Sequence, residues 1–281
     1  MRKRSAILLI SILCLVLCLA ACMLALGGCS KVDEVKDLID PASKFDVDYG
    51  MTVIDADDPN QAVGIVVTNN SDKVATDVVL KITPYDAEGE MMNSNEAAEG
   101  DYSPAIQDAV ISYIYPGEKS ATVYDNFYNL DKAPDHVEVE VKSVEWKDSS
   151  ELPEGNVTIT DFSYSPGADT AYVSLKNTTS FIYDIDDLLH SYWVNINIIG
   201  YDDEGKIVGG DFSSVQYLGA NSETSEQLIL DGKLPKTDAV TFEAYVERND
   251  FKPDPNTIYY DENGKEYTAE EVEEYYRNKN Q

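Results

Sequence analysis

Val78-Val79-Leu80-Lys81-Ile82-Thr83-Pro84-Tyr85-Asp86-Ala87-Glu88-Gly89 reads as a strand running into a tight turn, and the chain writes it twice. The second version is Val194-Asn195-Ile196-Asn197-Ile198-Ile199-Gly200-Tyr201-Asp202-Asp203-Glu204-Gly205. Alternation with a period of two puts Val78, Leu80 and Ile82 on one face, and likewise Val194, Ile196 and Ile198. The pattern buries one face of each strand and leaves the other wet. Upstream, Gly64-Ile65-Val66-Val67-Thr68-Asn69-Asn70-Ser71 matches Ala171-Tyr172-Val173-Ser174-Leu175-Lys176-Asn177-Thr178-Thr179, an apolar strand entering an Asn-rich turn. Downstream, Val137-Glu138-Val139-Glu140-Val141 matches Val240-Thr241-Phe242-Glu243-Ala244. Order and type agree three times, which is the signature of an internal repeat. Short strands separated by Asn, Asp, Gly and Pro turns indicate antiparallel sandwiches. The expected architecture is therefore all-β, with tandem β-sandwich domains at residues 45–148 and 155–250. The turn-rich stretch from Asp148 to Gly155 joins them.

Both ends of the chain lie outside the repeat. Met1-Arg2-Lys3-Arg4 precedes an apolar run from Ala6 to Leu26, followed by Leu26-Gly27-Gly28-Cys29. A basic start, an apolar middle and small residues before a cleavage point make a secretory signal, residues 1–28. The run is also long enough to stay as a membrane-spanning anchor, and both readings place the body outside the cytoplasm. Residues 29–44 are polar and of mixed charge, and read as a stalk. At the other end, residues 251–281 form a tail. Asn263-Gly264, between Ile258-Tyr259-Tyr260 and Glu266-Tyr267, predicts a two-residue hairpin turn. Thr268 and Glu271 are spaced as a capping box, with Tyr267 and Val272 as a hydrophobic staple. The short helix that follows places Val272, Tyr275 and Tyr276 on one side, to dock on the second sandwich or on a partner.

Two resemblances to known families rest on these residues. Leu-Gly-Gly before Cys29 resembles the lipobox of bacterial lipoproteins, which implies that Cys29 becomes the mature N-terminus and carries the lipid, palmitate included. Leu19-Ala20-Ala21-Cys22 is a second lipobox-like match, but processing there would leave Met23-Leu24-Ala25-Leu26 on the mature end. A strand ending in Tyr-Asp-x-x-Gly, preceded by a strand with an Asn-rich turn and followed by a Pro-Gly turn, resembles the FxLYD-type domains of Gram-positive surface lipoproteins. The pieces are Tyr85-Asp86-Ala87-Glu88-Gly89 with Tyr115-Pro116-Gly117-Glu118, and Tyr201-Asp202-Asp203-Glu204-Gly205 with Leu218-Gly219-Ala220-Asn221. Neither copy has the full Phe-x-Leu-Tyr-Asp string, and the second lacks the Pro. The resemblance implies immunoglobulin-like extracellular modules without an assigned catalytic site.

Composition narrows the classes of partner. The chain has 21 basic and 52 acidic residues, a net charge of -31. Loss of Arg2, Lys3 and Arg4 with the signal leaves 18 basic residues and a mature charge of -34. Nucleic acid is not an expected partner, since its binding relies on Lys and Arg. Cys14, Cys18 and Cys22 lie inside the apolar run, so Cys29 is the only cysteine of the processed chain, which excludes an internal disulfide and a Cys-based zinc site.

Candidate chemistry is sparse. Asp55-Ala56-Asp57-Asp58, Asp184-Ile185-Asp186-Asp187 and Tyr201 to Gly205 offer oxygen ligands of the kind calcium takes, without the spacing of a calcium loop. His136 and His190 belong to no metal-ligating pattern, and no metal or cofactor is expected. No nucleophile elbow or phosphate loop is present, and carboxylate pairs are uninformative among so many acids, so no enzyme activity is expected. The 19 tyrosines with Trp146 and Trp193 suit either sugar and protein recognition or packing on the sheets. The two halves differ in their loops, at Met91 to Gln107 and at Phe181 to Tyr192; the latter reads as a recognition loop or as a cover over the core end. Two functions follow as expectations. One is a non-enzymatic lipoprotein, held on the bilayer by Cys29, that binds or spaces a cell-envelope protein or glycan. The other is a ligand-capture lipoprotein serving a transporter or sensor, which needs a concave cleft between domains.

Overall fold

Strands appear wherever alternation and turn residues coincide. The structure is a computed structural model and describes residues 41–96, 102–152, 155–180, 182–184, 192–235, 239, 241–250, 258–260 and 265–279. The signal, both lipobox matches with Cys22 and Cys29, and residues 30–40 of the stalk lie outside the described residues.

The first repeat supplies β1 (Phe45–Gly50), β2 (Val63–Asn69), β3 (Val74–Tyr85), β4 (Gln107–Ile114), β5 (Lys119–Tyr124) and β6 (His136–Lys147). The second supplies β7 (Val157–Ser165), β8 (Thr170–Asn177), β9 (Tyr183–Asp184), β10 (Tyr192–Tyr201), β11 (Ile207–Ser214), β12 (Tyr217–Leu218), β13 (Glu223–Ile229) and β14 (Thr241–Asp250). They form antiparallel sheets in the orders β1-β2-β5 and β4-β3-β6 in the first repeat, and β7-β8-β13 and β11-β10-β14 in the second. The two topologies are the same, with β9 and β12 added as a small ribbon in the second. The three sequence correspondences fall on the equivalent pairs β2 and β8, β3 and β10, β6 and β14.

Each repeat closes a core between its two sheets. Phe45, Ile65, Leu80, Ile82, Ile111 and Phe127 fill the first, and Val173, Leu175, Tyr183, Ile196, Ile198 and Leu218 fill the second. The face expected to be wet on β10 is covered, and the apolar strand β2 is covered on its outer face as well. Val66 and Ala121 of the first repeat pack against Ile199 and Ile207 of the second, so that β2 and β10 are buried on both sides. The outer face of β1-β2-β5 thus lies on the outer face of β11-β10-β14, and four sheets stack in one compact unit that begins at Lys44.

Glycines permit this contact. A Cβ on Gly50 would collide with the carbonyl of Ile207, and one on Gly64 would sit 2.5 Å from the carbonyl oxygen of Gly209. A Cβ on Gly210 would lie 2.6 Å from Cγ2 of Val123 and 3.2 Å from Cα of Gly64. The two sheets approach backbone to backbone, closer than the usual face-to-face separation of about 10 Å with side chains between. Thr52 adds a bond across the seam, its Oγ1 donating to the Val208 carbonyl at 2.8 Å.

In the tail, β15 (Tyr259–Tyr260) pairs with β16 (Glu266–Tyr267), and α1 (Ala269–Lys279) follows. The register sets Tyr260 opposite Glu266, which leaves an odd number of residues between them. An unbroken ladder closed by a two-residue turn on Asn263-Gly264 would need an even number; residues 261–264, on which that expectation falls, lie outside the described residues. The capping box is formed, with Thr268 N–H donating to Glu271 Oε2 at 2.8 Å and Glu271 N–H to Thr268 Oγ1 at 3.3 Å. Val272, the staple residue, is buried, whereas Tyr275 is exposed.

Candidate functional site

The residues that carried the family resemblance turn out to build turns. Asp86 Oδ1 accepts from the N–H groups of Glu88 and Glu90, and Asp202 Oδ1 accepts from those of Glu204 and Lys206. Gly89 and Gly205 sit at φ of 80° and 79°, a left-handed conformation that glycine adopts without a Cβ clash. Tyr85 donates to Glu138 Oε2 at 2.8 Å and stacks on His136, an exposed residue. His190 lies outside the described residues.

The Asn-rich turns are internal struts. Asn69 is fully buried; its amide donates to the carbonyls of Lys73 and Ile114, both at 2.8 Å, and its Oδ1 accepts from Ser71 N–H and Oγ. Asn177 repeats the arrangement with the Gly219 carbonyl and with Thr179. Replacing Asn69 with Ala is expected to cost about 2 kcal/mol, because a buried carbonyl that loses its donor is left desolvated. Urea denaturation midpoints of the variant and the parent chain measure it.

The acidic clusters serve the backbone in the same way. Asp55 Oδ1 accepts from Asp57 N–H, and Asp58 Oδ1 from Asn60 N–H. Of the Asp184 cluster, residues 185–187 are outside the described set. Among the described residues, no group of three or more His, Cys, Asp or Glu side chains is placed to hold a metal. In the first-half loop, Met92 and Ala105 join the core while Tyr102 is exposed. In the second-half loop, Tyr183 is among the largest fully buried side chains, which favours the core-covering reading for that position. Phe181 and residues 185–191 of that loop lie outside the described residues. Trp146 stacks on Phe45 with ring centroids 5.5 Å apart, a packing role.

What the sequence did not single out is a cleft where the two repeats meet. The edge strands β4, β5, β7 and β14 come together along one side of the stack and enclose about 300 Å³. A recess of about 580 Å³ adjoins it and shares Tyr115, Glu118 and Asn156 with it. Arg248 of β14 anchors the wall. Its guanidinium donates to the Gly155 carbonyl at 3.2 Å and to the Tyr115 hydroxyl at 3.4 Å, and lies 5.5 Å from the centre of the Tyr113 ring. One side chain therefore ties β14, the inter-repeat connection and the end of β4 together.

Glu247 is the second unusual group. It is 8 % exposed, and burial pushes its carboxyl up from the ordinary range to about 7. The Asn197 amide, bonding at 3.3 Å, offsets that only in part. The same amide donates to the Ala121 carbonyl of the first repeat at 3.0 Å, so Asn197 and Glu247 belong to the seam. Nearby, Tyr245 donates to Glu243 at 2.6 Å and contacts the Tyr201 hydroxyl at 3.1 Å, and burial raises both phenols, Tyr201 to about 12. Lys233 also links the repeats, pairing with Asp125 of the first at 2.8 Å. No sequence pattern distinguished Arg248 or Glu247 at the end of a strand; the one available hint was a paired Glu-Arg inside an apolar alternation.

No protein-family model matches the chain, and no curated protein matches it in sequence. No described helix is long and apolar enough to cross a membrane.

Proposed function

We propose that the chain is a membrane-anchored extracellular lipoprotein, held by lipid on Cys29, whose body is a non-enzymatic binding module for a cell-envelope protein or polymer. The observation that carries this reading is the cleft at the junction of two sandwiches locked face to face. A recognition surface held on rigid elements keeps its shape without a ligand. The FxLYD-type resemblance and the lipobox at Leu26 to Cys29 support the location, and the mature charge of -34 suits a surface protein that must stay dispersed. Capture of a solute for a transporter or sensor draws on the same cleft. It is the weaker reading, because two-lobed capture proteins close by a hinge, and the glycine seam leaves the repeats packed backbone to backbone.

Metabolic labelling with an alkynyl palmitate, followed by membrane fractionation, tests the anchor. The full chain is expected to take up label and sediment with membranes, and Cys29→Ser to lose the label. An unlabelled parent chain that keeps its N-terminus and stays with the membrane would replace the lipid by a spanning anchor.

A further inference from the structure

We infer that the groove formed by the inter-repeat cleft and its adjoining recess is a binding site for a neutral oligosaccharide, with the sugar chain lying across Tyr113 and Tyr115. This inference names the ligand class for the binding module proposed above and rests on that reading.

Charge is the first consideration. The cleft lining carries Glu118 and Glu247 against Lys119 and Arg248, acids and bases in equal number, within a chain of net charge -31. An anionic ligand would meet the field of the whole body, and a cationic one would find no excess of acid to hold it at the site, where Lys119 and Arg248 offset Glu118 and Glu247. A neutral ligand meets neither penalty.

Hydrogen bonding points the same way. A sugar hydroxyl both donates and accepts, so it is matched by donors and acceptors set side by side rather than by a single charge. The lining supplies that mixture: the carboxylate of Glu118 accepts, the ammonium of Lys119 donates, and the amide NH2 of Asn156 donates while its Oδ1 holds Val157 N–H at 2.9 Å. Sugar rings also present a flat C–H face, which packs on aromatic rings that bury large area while freezing few torsions. Tyr113 and Tyr115 are half-buried in the groove wall, and Arg248 holds them in place through the ring of one and the hydroxyl of the other. The wall is preorganised by a side chain that is itself 5 % exposed.

Shape adds a third argument. A compartment of about 300 Å³ lies at the lower end of small-ligand pockets, and a second of about 580 Å³ opens from it through shared residues. Two joined compartments on an open side of the molecule suit linked rings of a chain that continues beyond the site.

Calorimetric titration of the full chain, held in a zwitterionic detergent without a sugar headgroup, tests this. The probes are tetrasaccharides of chito-, cello- and malto-type, with glutamate and inorganic phosphate as charged competitors. At least one tetrasaccharide is expected to bind, with neither competitor displacing it. Binding should weaken ten-fold or more in Glu118→Ala with Lys119→Ala and in Tyr115→Phe. Glu118 and Lys119 are exposed, so their double replacement should leave the melting temperature unchanged, whereas Tyr115→Phe removes the hydroxyl that Arg248 donates to and should lower it by a few degrees without unfolding the chain. Tyr172→Ala, on an exposed sheet face away from the groove, should bind as the parent does. The inference is overturned if none of the three tetrasaccharides binds, if phosphate or glutamate displaces the sugar, or if Tyr172→Ala rather than the groove variants abolishes binding. Failure here leaves the lipid-labelling result standing, so the two proposals fail separately.

Discussion

Glu247→Gln is expected to be more stable than the parent chain by about 3 kcal/mol at pH 8 and equal to it near pH 4. The carboxyl titrates near 4.5 in the unfolded chain and is pushed to about 7 in the folded one, because burial disfavours its charged form. The folded state therefore holds a proton that the unfolded state has already released. Stability from this group is fully present below pH 4.5, falls as the pH rises through the interval up to about 7, and stays low above it. Glutamine keeps an acceptor for Asn197 and carries no charge, so it removes the slope while keeping the bond. The parent and variant share every other carboxylate, and their difference isolates Glu247. Urea denaturation of both at pH 4, 5, 6, 7 and 8 measures it; parallel curves would mean that the seam admits water to this carboxyl.

A buried acid at the repeat junction was not legible in the sequence, and the reason is physical. Alternation reports which face of a strand is apolar, and it did so correctly for Val78, Leu80 and Ile82 and for Val194, Ile196 and Ile198, all fully buried. Turn residues located both Tyr-Asp-x-x-Gly turns, cap spacing located the capping box on Thr268, and alternation gave the equivalence of three strand pairs. It says nothing of what covers the opposite face. In β10 that face carries Asn197 and Ile199, and in β14 it carries Tyr245 and Glu247, a polar-looking row that is nonetheless shielded by the first repeat. A signal did exist in β2, where Val63-Gly64-Ile65-Val66-Val67 is an unbroken apolar run of the kind found in strands buried on both sides. The glycine pair Gly209-Gly210 in β11 was the other. Each is ambiguous alone, and their meaning depends on partners far along the chain. The cleft inherits the same difficulty, since Tyr113, Asn156 and Arg248 meet only after the repeats have stacked.

The seam itself yields the other large effect. Gly64→Ala is expected to lower stability by about 3 kcal/mol, at the upper end of what overpacking costs in a filled interior. Combined with Gly50→Ala it should split unfolding into two transitions, one per repeat. Neither glycine has a positive φ, so alanine meets no backbone strain, and on an open strand face it would be neutral or stabilising by about 0.4–1 kcal/mol through the unfolded chain. The sign therefore reports whether the opposing sheet is present. A new Cβ at either position runs into a main-chain carbonyl of β11, of Ile207 or of Gly209, and even an edge strand, held by its ladder to β10, cannot swing aside as the end of a side chain would. Relief requires the sheets to separate, which would expose Val66, Ala121, Ile199 and Ile207 and release the Asn197 bond to Ala121. Gly167→Ala is the control, since a Cβ there meets nothing within 4 Å, and it should leave the midpoint almost unchanged. Calorimetry and urea titration of the three variants measure these effects; a neutral Gly64→Ala would mean that the two sandwiches do not press on one another in solution.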